Sequence, residues 1–363
     1  MEKEIEIKWE RFKNFLKERA LDGFLINKVS NFSWFTGGKI NYVGLHTEIG
    51  VCKLLITENK IYYLTNNIEY PRISEEELRN FNFEPIIENW YEENFVDRIR
   101  KLGCKLVGAD IRDYFPTFVP FNIEKLHFPL LPEEIERYKE LGKEVSKIMT
   151  EVCNEIKLGE SEIEIAGRLS EKLWRKNIVP VVLLIASDER IEKYRHPIPT
   201  EKKVEKYVMV VLCARRHGLI VSLTRLVHFG KLPDELKKKH ISVCKVDASF
   251  INNTKKGEKI FEVFERGIKV YEEEGYPDEW KKHHQGGLTG YLTRYFRATK
   301  YNYELIDENQ AFAWNPSITG TKSEDTIITT KNGQLIITED ENWPMIKIEI
   351  EDKEILRPDI LIK

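Results

Sequence analysis

Ala311 to Thr326 reads AFAWNPSITGTKSEDT. An apolar run ends at Asn315-Pro316, Gly320 marks a turn, and Glu324-Asp325 leads into the β-branched Thr326-Ile327-Ile328-Thr329-Thr330 before Asn332-Gly333. The pattern is that of paired strands bounded by turns. Residues two apart on a strand share a face. Lys322 and Glu324 therefore face together, and Asp325 turns away toward structural partners. The two polar ends, Asn315 and Glu324, are laid out like the two halves of a metal site, but only the second half is a carboxylate.

Outward from this segment the chain divides in two. Before Phe128-Pro129-Leu130-Leu131-Pro132, helical and strand patterns alternate. Ile7 to Arg19 is amphipathic, Asp22–Lys28 and Lys105–Ile111 read as strands, and Val51–Thr57 with Lys60–Thr65 forms a hairpin. NFSWFTGG ends in a Gly pair and reads as a loop. This alternation predicts an α/β domain over residues 1–130. Pro132 then opens a helix whose apolar positions run from Ile135 to Ile156 and stop at Gly159. Ser161 with Glu164 forms a capping box for the next helix. Strand patterns dominate thereafter, with another helix near Ile260 to Glu274. The fold class is α+β in two domains, the second, 131–363, being the larger.

The 363 residues are 41% apolar and 32% charged, with a net charge of −3 and a pI near 6.3. That balance excludes a strongly basic nucleic-acid or anionic-membrane surface, and no run is long enough to span a membrane. The first residues, MEKEIEIKWERF, lack the apolar stretch of a signal peptide. Five dispersed cysteines without a CxxC pair suit a reducing compartment. The expectation is a cytoplasmic protein with neither a nucleic-acid nor a membrane partner.

Four further landmarks, in order, are RHPIPT (Arg195–Thr200), VVLCARRHGLIVSLTR (Val210–Arg225), HHQGGLTGY (His283–Tyr291) and NPSITGTKSEDTIITTKNG (Asn315–Gly333). Together with NFSWFTGG they resemble the creatinase/aminopeptidase P/methionine aminopeptidase superfamily, M24, over nearly the whole chain. The resemblance implies a creatinase-like α/β N-terminal domain and a pita-bread C-terminal domain. It implies a homodimer in which Tyr42 and His46 could reach the partner's site. It also implies, in metal-using members, two divalent ions held by two aspartates, a histidine and two glutamates. Those positions fall at Val211, Ser222, Gly287, Asn315 and Glu324, so four of the five ligands are replaced. Hard cation pairs need several anionic or imidazole ligands to replace their water. No metal and no cofactor is expected, although His283, His284 and Glu324 together could offer one transition metal a seat.

His196 matches the family's proton-transfer histidine, and imidazole titrates near neutrality; the plainer alternative is a histidine bracing a loop. Glu324 is the second catalytic candidate. Beside Lys322 it could act as a base, or the pair could be a salt bridge standing in for lost cations. Ser222, His283, His284, Arg294, Asn315 and Lys322 are the substrate-binding candidates. Arg294 could clamp a carboxylate or simply pair at the surface, and Ser222 beside Lys322 could serve as a nucleophile. Arg225 and Trp314 are expected to brace the fold.

Three functions compete. The first is metal-independent C–N hydrolysis of a small molecule or short peptide, as the resemblance to creatinase implies, with His196 as proton shuttle. The second is an Xaa-Pro metallopeptidase, and the third a non-catalytic binding module. The polar and charged replacements at the centre favour the first.

Overall fold

A computed structural model describes residues 2–111, 118–350 and 353–363. It resolves into two compact units, Met1–Glu134 and Ile135–Lys363. The first unit is built on β1 (Gly23–Lys28), β2 (Ile49–Thr57), β3 (Ile61–Asn66), β4 (Glu84–Glu88), β5 (Val107–Ala109) and β6 (Val119–Pro120), ordered β4-β3-β2-β1-β5-β6. Antiparallel β1–β2–β3 pairing is flanked by parallel neighbours. Phe12 of the helix Glu2–Glu18 is wholly buried against Phe24, Trp34 and Phe35. NFSWFTGG is mostly not a loop. Val29–Phe35 is helical, because five consecutive residues from Asn31 to Phe35 are buried, and only the Thr36-Gly37-Gly38 end is irregular.

The helix Pro132–Glu155 leads into the second unit. The helix Glu162–Trp174 follows, with both halves of the Ser161–Glu164 capping box formed. Three strands, β7 (Val179–Ser187), β8 (Tyr207–Arg216) and β9 (Leu219–His228), make an antiparallel meander. A second sheet has the order β10-β11-β14-β15, from β10 (Gly286–Thr289), β11 (Ala311–Trp314), β14 (Asp325–Thr330) and β15 (Gly333–Ile336). Two short strands, β12 (Ser317–Ile318) and β13 (Thr321–Lys322), pair beside it.

A 20-residue helix, Asp234–Asn253, had no counterpart among the sequence-based elements. Its second half is buried around the clock, so it lacks the one-sided stripe that signals a surface helix. It packs on Ile260–Glu273 so closely that a Cβ at Gly267 would meet Phe250 Cε1 at 2.1 Å. Phe250 in turn stacks on Trp314, which is fully buried. A hairpin of β16 (Met345–Ile350) and β17 (Lys353–Pro358) was also unread, and β18 (Leu361–Ile362) runs parallel to β9.

Beneath the two sheets lies a buried ionic chain. Asp325 accepts from Arg225 at 3.0 Å and Arg357 at 2.6 Å, and Arg357 also reaches Asp247 at 2.9 Å. Breaking such a chain at one link strands a buried charge. Asp325 and Arg225 are thus structural, as their places in the pattern foretold. No described helix is long and apolar enough to cross a membrane.

Candidate functional site

The middles of β7 and β8, Asn315 just after β11, Lys322 of β13, and the segment after β10 line an open cavity of about 630 Å³. His196, His284, Arg294, Asn315, Lys322 and Glu324 line it, so six of the eight candidate residues converge. The other two stand behind the wall. Ser222, on β9, is fully buried; its hydroxyl lies 3.2 Å from Cys213 Sγ, and its backbone N–H donates to Thr326. His283 is buried and its Nε2 lies 3.1 Å from His196 Nε2.

Glu324 falls just outside β13, yet Lys322 Nζ reaches its Oε2 at 2.7 Å, so the two share a face as the two-residue spacing requires. Thr224 Oγ1, from β9, donates to the same oxygen at 2.7 Å, and Arg294 Nη2 approaches Oε1 at 3.5 Å. Burial alone would raise this carboxyl's pKa. Lys322, then Arg294, outweigh that effect and hold it below the ordinary range. Glu324 is therefore ionised and already engaged.

The imidazoles shift the other way. Burial lowers His284 to about 4, and Arg294, Arg297 and Lys322 add to the effect. His283 falls to about 2, through burial and then Lys322. His196 is exposed at the cavity and also lowered, by desolvation and by Lys322 against the opposing pull of Glu324. All three are neutral at pH 7; His196, exposed at the cavity, is the one placed to take up a proton, whereas His283 is a very weak base.

Several cavity-lining groups were not foreseen from sequence. Arg297 is exposed and has no hydrogen-bond or ion-pair partner among the described residues. Cys213 is buried with its thiol pushed up, hence inert as a nucleophile. Val182 and Leu184 give the cavity an apolar side. Among the described residues, buried Asn315 has no donor for its Oδ1 and Arg294 Nε has no acceptor. Arg297 alone left a signal, as a second arginine three residues beyond Arg294.

A cation pair does not fit these residues. Val211 presents an apolar side chain to the cavity. At Gly287, with φ +150°, a Cβ would meet Phe296 O at 2.3 Å, so no ligating side chain fits there. Ser222 is turned toward Cys213, and Glu324 already has Lys322 and Thr224 on Oε2 and Arg294 near Oε1. The histidines that do cluster are His196, His283 and His284, with ring nitrogens within 4.8 Å of one another. This differs from the His283, His284 and Glu324 grouping, because Lys322 has claimed Glu324. Lys322, Arg294 and Arg297 beside that cluster oppose a further cation.

With this geometry in hand, comparison with known proteins places the chain. Residues 136–352 match the model of metallopeptidase family M24, and residues 8–116 match the creatinase/prolidase N-terminal domain. The chain belongs to metallopeptidase family M24, with the two-domain pita-bread architecture of that family. An uncharacterized peptidase of Staphylococcus epidermidis is 21% identical over 92% of this chain and 99% of its own length. An Xaa-Pro dipeptidase of Pyrococcus furiosus is 22% identical over 92% and 97%. Among solved structures, an Xaa-Pro dipeptidase from Bacillus anthracis superposes with a TM-score of 0.79 at 20% identity, covering 99% of this chain and 100% of that one. At that identity the likeness shows the fold alone.

Proposed function

We propose that this chain is a hydrolase that cleaves a C–N bond in a small polar substrate without a metal pair, with His196 carrying the proton. The observation that supports it is the shared opening of neutral His196 and the unpaired Asn315 Oδ1 onto one cavity, whose carboxylate, Glu324, is already neutralised.

In this reading Asn315 Oδ1 accepts an N–H of the substrate. His196 takes a proton from water as the water oxygen bonds to the carbon of the C–N group. The same proton then passes to the departing nitrogen as that bond breaks. One water is consumed, and the amine and the hydroxylated carbon product leave. Lys322 stabilises negative charge that develops on the carbon's remaining heteroatom. Glu324 acts through Lys322 and is a positioning residue.

A second reading, an Xaa-Pro peptidase, is favoured by the names of the relatives. Turnover of a panel of small amides, guanidines and Xaa-Pro dipeptides, with chelator and with added manganese, separates the two. Hydrolysis that persists in chelator and is lost in His196→Asn supports the first reading. Activity only on Xaa-Pro dipeptides and only with manganese replaces it by the second. Ligand binding without turnover, unchanged in His196→Asn, identifies a binding protein instead.

A further inference from the structure

We infer that the point where the family holds cations is, in this chain, a binding site for the oxyanion end of a small molecule, a carboxylate or phosphate group. The charge balance points there first. Arg294, Arg297 and Lys322 line the cavity against one carboxylate, Glu324, which Lys322 already engages. By count, three cations face one carboxylate. Arg294 reaches Glu324 at 3.5 Å and Ser222 Oγ at 3.4 Å, while Arg297, beside the apolar side chains of Val182, Leu184 and Val211, has no ion-pair partner among the described residues.

The donors point there next. Arg297 has no partner among the described residues, and Arg294 Nε is buried with none. A buried guanidinium donor without an acceptor is costly, and an arginine fork is shaped for two oxygens of one group. Burial first disfavours the protonated forms of the three neighbouring imidazoles; Lys322 adds to this at all three, Arg297 at His196 and His284, and Arg294 at His284. A metal-binding centre has thus reversed sign.

This deepens the proposed hydrolysis, and rests on it only for what happens at the other end of the substrate. The full chain is titrated calorimetrically with inorganic phosphate and with acetate at low chloride, pH 7.5, in wild type and in Arg297→Gln. Expected is saturable binding of one anion at one site, weakened about tenfold by the loss of a charge-assisted contact and partly restored in Arg297→Lys. Tighter phosphate identifies a phosphate end group, tighter acetate a carboxylate. Thermal melts verify that Arg297→Gln stays folded, as an exposed, unpartnered side chain should. No saturable anion binding, or affinity unchanged in Arg297→Gln, overturns the inference even if C–N hydrolysis is found. Anion binding without any hydrolysis leaves it standing and removes the reaction instead.

Discussion

The Lys322 ammonium lies 2.7 Å from one oxygen of the Glu324 carboxylate, and both side chains are at least nine-tenths buried. The one carboxylate retained from the five-ligand pattern is thereby balanced by a side chain of the same strand segment. Thr224 and Arg294 complete its shell. A cation fixed to the backbone cannot exchange with solvent, so the local charge is set by the sequence rather than by metal supply.

Removing that ammonium leaves the buried Glu324 charge with the neutral Thr224 hydroxyl and, as its one remaining cation contact among the described residues, Arg294 at 3.5 Å. Breaking a buried pair from one side costs about 3 kcal/mol, so Lys322→Met should lower the urea midpoint at an unchanged slope. Adding Glu324→Gln should recover part of the loss, since the stranded charge is then gone. Losses that simply add in the double variant would show that the two groups are not coupled.

His196→Asn should reduce turnover by about 10² to 10⁴-fold with little change in substrate affinity. The wild-type pH profile follows from the direction of its shift. The neutral imidazole is the active form and its pKa is lowered, first by desolvation and then by Lys322. Activity should reach its plateau well above pH 6.5 and decline as the pH falls through a midpoint below that value. An acid limb centred above 6.5, or one that persists in His196→Asn, would assign the proton to another group.

Gly287→Ala tests the claim that position 287 has no room for a ligand. The new Cβ meets the Phe296 carbonyl at 2.3 Å in a backbone conformation that side chains rarely adopt. A loss of about 1–3 kcal/mol is expected, read in denaturant melts. A neutral substitution would mean that β10 and the Phe296 segment yield easily and that a histidine could be seated there.

How much of this was legible beforehand depends on how local each signal is. The hairpin around Asn315 and Glu324, the Ser161–Glu164 capping box and the β8–β9 strands announce themselves within a few residues. The same periodicity turned Asp325 away from Lys322 and Glu324, and in the fold it meets Arg225 and Arg357. The helix Asp234–Asn253 was missed because burial on every side of its second half erases the polar stripe. Ser222 looked like a lining residue because strand position gives a face but not its depth, and the Gly-Gly approach left open which of His283 and His284 faces the cavity; it is His284. Ser222 faces Cys213 on the neighbouring strand, and His283 lies behind His196. Arg297 was overlooked because an unpaired charge is a statement about what does not approach it, which only the folded chain reveals.

The most direct test of the account is the metal content of the purified full chain, measured by elemental analysis after growth and dialysis in manganese, cobalt or zinc. The account predicts well under one ion per chain, and no gain in activity when these ions are added. Two tightly held divalent ions per chain, lost together with activity in Glu324→Gln, would contradict it.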